Sequence, residues 1–118
     1  MHTIRASEIA THEGPGFRLE LLANPRNGAE ETALLRGIVD PGGSFPPHSH
    51  DREEVLYFLS GSATFTIGDE TGSASAGDVI VIPAGALHTF ETTEGLDAVA
   101  ALPAAARTFA PDGIEMTR

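Results

Sequence analysis

The sequence contains no cysteine, which excludes disulfides, thiolate metal ligands and a cysteine nucleophile. Any transition metal must therefore be held by nitrogen and oxygen. Lysine is absent as well, and with it Schiff-base chemistry. The formal net charge is −10, and positive charge is too scarce for a generic attraction to nucleic acid or to an anionic membrane. No stretch approaches the roughly 18 apolar residues that cross a bilayer. The opening MHTIRASEIATHEG lacks the apolar run of a secretory signal, so a soluble, cytoplasmic protein is expected. Sustained 3.6-residue periodicity is missing too, so helix should be scarce.

What remains is a pattern of short strands between turn residues. At 118 residues and 41% apolar content, one domain spanning residues 1–118 with one core is expected. FRLELLA at 17–23 alternates partly between apolar and polar. NPRNG follows, with Asn27-Gly28 as a tight-turn signal, and ETALLRGIV completes a first hairpin. Asp40-Pro41-Gly42-Gly43 breaks the strand, and Pro46-Pro47 stiffens the approach to His48. EVLYFLSG is apolar on both parities, as expected for a strand covered on both faces, and ATFTIG follows after Gly61. GDVIVIPAGALHTF holds a second doubly apolar strand, a turn and a further strand start. LDAVAAL predicts a last strand before a tail of undefined structure. The pattern predicts an all-β sandwich or barrel. Two units of strand, turn and His-bearing strand hint at a weak internal duplication.

His48 and His50 are two apart, so on a strand both imidazoles point to one face, with Cα atoms about 6.7 Å apart. Both can reach one ion, since imidazole nitrogen binds zinc-like metals at about 2.0–2.1 Å and carboxylate oxygen at about 2.0–2.2 Å. Glu54 shares their parity, but Asp51-Arg52-Glu53 reads as a turn that can break the alternation, which leaves Glu53 as an alternative carboxylate. His88 begins a strand just after the Pro83-Ala84-Gly85 turn, and a barrel can bring it opposite the other two histidines. Taken singly, each of these histidines reads as a surface or satisfied core residue. His2 and His12 read as exposed terminal side chains.

Residues 42–61, GGSFPPHSHDREEVLYFLSG, match Gly-x5-His-x-His-x3-Glu-x6-Gly through Gly42, His48, His50, Glu54 and Gly61. Residues 77–92, GDVIVIPAGALHTFET, match Gly-x5-Pro-x-Gly-x2-His-x3-Asn through Gly77, Pro83, Gly85 and His88, with Thr92 in place of the final Asn. In these two motifs, 15 residues apart, the chain resembles the cupin superfamily. The resemblance implies a jelly-roll barrel, with His48, His50, Glu54 and His88 as ligands of one divalent metal. The asparagine replaced by Thr92 is not a metal ligand in that family.

Three neutral imidazoles and one carboxylate around a divalent ion leave a net charge of about +1, and six-coordinate geometry leaves two open positions. Mn(II) or Fe(II) is the expected metal, with nickel, zinc, cobalt or copper as alternatives. The resemblance implies a dioxygenase or related oxidoreductase acting on a small chelating substrate, with Glu54 as ligand and transient base. Parity puts Leu56, Phe58 and Phe90 on the ligand face, and Arg36 becomes an anion anchor if it points inward. A non-catalytic module that binds or senses a small molecule is the alternative. A sugar isomerase or epimerase ranks third, because only Arg36 and Arg52 fall near the expected pocket. An exposed edge beside FRLELLA, together with the habits of related cupins, points to a homodimer.

Overall fold

A computed structural model describes residues 1–116. Strict alternation builds its most regular strand, β9 (Leu96–Pro103), where Leu96, Ala98, Ala100 and Leu102 are buried and the residues between them are not. The chain begins with β1 (Ala10–Gly14) and β2 (Phe17–Ala23), then β3 (Thr32–Val39), β4 (Ser44–His50) and β5 (Glu54–Ile67). β6 (Glu70–Ser75), β7 (Val79–Ile82), β8 (His88–Glu91), β10 (Thr108–Phe109) and β11 (Glu115–Met116) complete it. The pairing order is β1-β2-β3-β9-β5-β8-β4-β10-β11, with β6 and β7 added to β5. Every pairing is antiparallel.

β5 belongs to both layers of the resulting jelly roll. Its first half, Glu54 to Gly61, pairs with β7 and β9, and its second half, Ser62 to Ile67, pairs with β6 and β8. The crossing is at Gly61, whose φ of 79° only glycine adopts freely, and a Cβ there would stand 1.9 Å from the carbonyl oxygen of Gly95.

Two apolar clusters fill the interior. One gathers Val39, Phe58, Ile82, Phe90 and Leu96, the other Leu19, Leu21, Leu35 and Leu102, and Phe45 and Leu56 pack against both. Burying each large member contributes about 1.5–3 kcal/mol, so this seam is the main source of cohesion for both layers.

Two local expectations are corrected and a third is made specific. The β2–β3 connection is longer than a two-residue hairpin: Pro25–Asn27 forms a 3₁₀ turn closed by Gly28 at φ 100°. It is held by the Asn24 side chain accepting from Arg26 N–H and by the Asn27 amide donating to the Leu22 carbonyl. FRLELLA itself is paired on both sides, by β1 and β3, and the open edge beside it is that of β1. Finally, the doubly apolar strands are covered on one face only within this chain. Val55, Tyr57 and Leu59 on β5 and Val79 and Val81 on β7 are exposed, while the alternate residues Glu54, Phe58 and Ile82 are buried.

Candidate metal centre

His48 and His50 lie on one face of β4, both buried, with the less buried Ser49 between them. In the β4–β8 pairing, His88 is the direct partner of His48, so the sheet itself sets two imidazoles side by side. Their ring centroids are 4.3 Å apart, and His50 stands 5.0 Å from His48 and 5.4 Å from His88. One nitrogen from each of the three rings falls within 4.8 Å of the others. Glu54 opens β5 and turns inward: its Oε2 is 3.5 Å from His50 Nε2 and its Oε1 is 3.5 Å from His88 Nε2. Glu53 is exposed in the segment before the strand, so Glu54 is the carboxylate that joins the cluster.

Each ring is oriented through its other nitrogen. Nδ1 lies 2.8 Å from the Pro46 carbonyl in His48 and 2.9 Å from the Ala86 carbonyl in His88. Carbonyl oxygens only accept, so both rings carry their proton on Nδ1 and turn the Nε2 lone pair toward the cluster. In His50 the same position is taken by the Thr108 hydroxyl at 2.9 Å, brought there by the β10–β4 pairing in which Thr108 faces His50.

This donor set fits a divalent cation. The Nε2 of His88 is buried and has no hydrogen-bond partner, so its lone pair is available to a bound cation. Burial pushes the His48 imidazole down to about 4, helped by the neighbouring His88, so it stays neutral and able to coordinate. Burial alone would raise the Glu54 carboxyl, but in the metal-free protein a proton shared with the adjoining His88 ring and positive charge on His50 or His88 reverse this and bring it below the usual carboxylate range. Nitrogen and oxygen donors of this kind suit first-row transition metals.

The cluster opens on a cavity at the seam of the two apolar clusters, lined by His48, Glu54 and His88 together with Leu56 and Phe90. Phe58 does not line it; this fully buried ring lies against Phe90 in the core, with centroids 6.2 Å apart. Arg36 points outward. Its guanidinium donates to both carboxylate oxygens of Asp97, at 2.9 and 2.6 Å, and to Glu20 at 3.2 Å, because even-numbered residues of β3 face away from the interior. It therefore cannot anchor an anion in the cavity. Thr92, at the motif's usual asparagine position, is buried, donates its hydroxyl to the Ser62 carbonyl and accepts from Gly95 N–H, tying the end of β8 to β5. Residues not foreseen from sequence are Thr108, in a tail that carried no strand pattern, and Phe45, whose ring lies 5.5 Å from that of His48. Among the described residues no helix is long and apolar enough to cross a membrane.

Residues 35–102 match the family model of the cupin domain, more than half of the chain. The chain belongs to the cupin family. This cupin is 36% identical over 92 residues to a protein of uncharacterised function from Streptomyces coelicolor, spanning 76% of this chain and 83% of the other. It is also 36% identical over 55 residues to the acireductone dioxygenase of Heterostelium pallidum, a match spanning 42% of this chain and 38% of that enzyme. Among solved structures, the polyketide cyclase RemF of Streptomyces resistomycificus superposes with a TM-score of 0.74 at 27% identity, over 90% of this chain and 81% of the other.

Proposed function

We propose that this cupin is a metal-dependent enzyme, a dioxygenase-like oxidoreductase that acts on a small chelating substrate. The observation that carries the reading is the convergence of His48, His50, His88 and Glu54, three of which, His48, Glu54 and His88, line an apolar cavity. A closed structural site would present its donors to no such space. The short match to an acireductone dioxygenase supports the same chemistry.

A divalent manganese or iron ion, when bound, supplies Lewis acidity and redox capacity. The protein's own residues do the rest. The three imidazoles hold nitrogen donors in place, and the apolar walls limit the water around the reacting carbon. Glu54 is the one ionised group on the cavity wall, so its carboxylate oxygen is the base that takes a proton from a substrate C–H next to a carbonyl. A second reading is favoured by the similarity to RemF: the same proton abstraction without oxygen, leading to bond rearrangement in the substrate.

The test is to load the protein with Mn(II) or Fe(II) and follow oxygen uptake and product formation with catechols, flavonols, β-diketones and thiols. Uptake matched by product supports the oxygenase. Conversion without uptake favours the second reading, and retention of a compound with neither makes the chain a binder. His50→Ala should remove most of the metal; full occupancy in that variant would contradict the ligand assignment.

A further inference from the structure

The cavity beside the imidazoles measures about 50 Å³, more than the roughly 10–15 Å³ that a single water requires. Leucines 19, 35 and 56 form much of its wall. Glu54 is the only lining residue with a formal charge at neutral pH, and none of the arginines at 5, 18, 26, 36, 52 and 107 reaches it. An apolar cavity of this kind favours apolar groups over water.

Gly37 marks the space. The inward positions of β3 are Ala33, Leu35, Gly37 and Val39, so one apolar side chain is missing from the row at a point that lines the cavity. Its backbone gives no reason for a glycine, since Gly37 is not among the glycines with positive φ. A Cβ built there meets a single atom within 4 Å, Phe45 Cε2 at 3.8 Å, which is ordinary contact. Across the pairing stands Ala98, also small, also on the cavity wall. Glycine weakens a strand interior and often marks a bulge, a bend, or the close approach of a ligand or another backbone. At Gly37 both pairings keep their register and no backbone atom beyond its chain neighbours lies within 4 Å of the Cβ position, which leaves the ligand. The same space adjoins the cluster, since His48, Glu54 and His88 also line it.

We propose that this cavity takes the uncharged, apolar body of a small chelator carrying at most one negative charge, and that Gly37 keeps the space for it. This rests on the metal reading of the cluster. A divalent ion held by three neutral imidazoles and one carboxylate has a net charge of about +1, which balances one anionic oxygen. A second carboxylate or a phosphate would place further charge against leucine and alanine side chains with no cation to meet it, which is strongly unfavourable. Sugar phosphates and dicarboxylates are therefore disfavoured, and enolisable ketones with short alkyl arms are favoured.

The experiment compares 2,4-pentanedione with malonate, which has the same three-carbon bridge between chelating oxygens but an anionic oxygen where the diketone has a methyl group. Both are titrated into Mn(II)-loaded protein, with binding read by calorimetry and by the change in the Mn(II) electron paramagnetic resonance signal. Pentanedione should bind about tenfold more tightly or better. Gly37→Val should keep its metal content and lose about tenfold or more in pentanedione affinity, with Gly37→Ala intermediate and malonate little affected. Malonate binding as well as pentanedione, or Gly37→Val binding pentanedione undiminished, overturns the proposal. If Gly37→Val does not fold, the wild-type comparison and Gly37→Ala still decide. Wild-type protein that takes up no metal fails at the earlier step, and that failure is visible in the metal analysis alone.

Discussion

Thr108 shows how a single residue completes a site. Two of the three rings are fixed by backbone carbonyls two residues earlier in the chain, but His50 depends on a hydroxyl delivered from the C-terminal segment. Groups that orient metal-binding imidazoles typically carry about 10- to 100-fold in metal affinity. Thr108→Val keeps the shape and removes the hydrogen bond, so we expect Mn(II) affinity, measured by competition with a chromophoric chelator, to fall about tenfold, and Thr108→Ser to restore it. An unchanged affinity in the valine variant would leave Thr108 with a packing role only. His48 yields a second expectation, for the metal-free protein. Its imidazole titrates near 4 in the fold against an ordinary 6.5, so the unfolded chain takes up the proton first and stability falls as pH drops from about 6.5 to about 4. Between pH 7 and pH 5 the loss should be on the order of 2 kcal/mol, and the lowered Glu54 carboxyl adds loss in the same direction at lower pH. Urea unfolding of chelator-treated protein at the two pH values would show it as a lower midpoint at pH 5; equal midpoints would contradict it. The motif histidines and Glu54 were legible in the sequence because their spacing repeats a known register. Thr108 was not, since one hydroxyl in an unpatterned tail carries no periodicity.

At the scale of elements, the strands were legible where alternation is strict, as in LDAVAAL, and where turns carry glycine or proline. EVLYFLSG and ATFTIG read as two pieces, whereas the structure joins them into one strand that passes between layers. Glycine usually signals a break, and sequence alone does not distinguish a turn from a crossing at which another backbone comes close. Gly61 is the crossing point, with the Gly95 carbonyl where a side chain would stand and the neighbouring Ser62 N–H donating to that same carbonyl. Gly61→Ala must displace this contact and adopt a left-handed φ, so we expect a loss of about 2–4 kcal/mol in chemical unfolding. Gly42→Ala has the same φ sign but nothing within 4 Å of its Cβ, and its smaller loss isolates the cost of the close approach. Similar losses in the two variants would mean that φ alone matters at Gly61.

For the whole molecule, the fold class was legible from two spaced motifs and short strand patterns, but which faces meet solvent was not. Apolar residues on both parities of EVLYFLSG and GDVIVI predict strands covered on both sides, and within one chain only one side is covered. Cross-strand register assembles the uncovered side into two rows, Leu34–Ala101–Val55–Val81 and Val99–Tyr57–Val79. Val79 and Val81 are 57% and 55% exposed. The second row ends at Arg36, whose charge is met by Asp97 and Glu20. A chain of net charge −10 repels its own copies over most of its surface, and these rows form an apolar face that carries no charge of its own to oppose a second copy. Face-to-face packing of two such sheets would cover the parity that the sequence presents as buried. We therefore expect a homodimer through this face, not through the edge beside FRLELLA, which is the short, exposed strand β1. Sedimentation velocity over a dilution series should show twice the monomer mass, and Val81→Glu should shift it to monomer. Its metal content should be unchanged, because Val81 is exposed while its neighbour Ile82 turns inward. A wild-type protein that stays monomeric at every concentration, or a Val81→Glu variant that remains dimeric, would move the interface elsewhere.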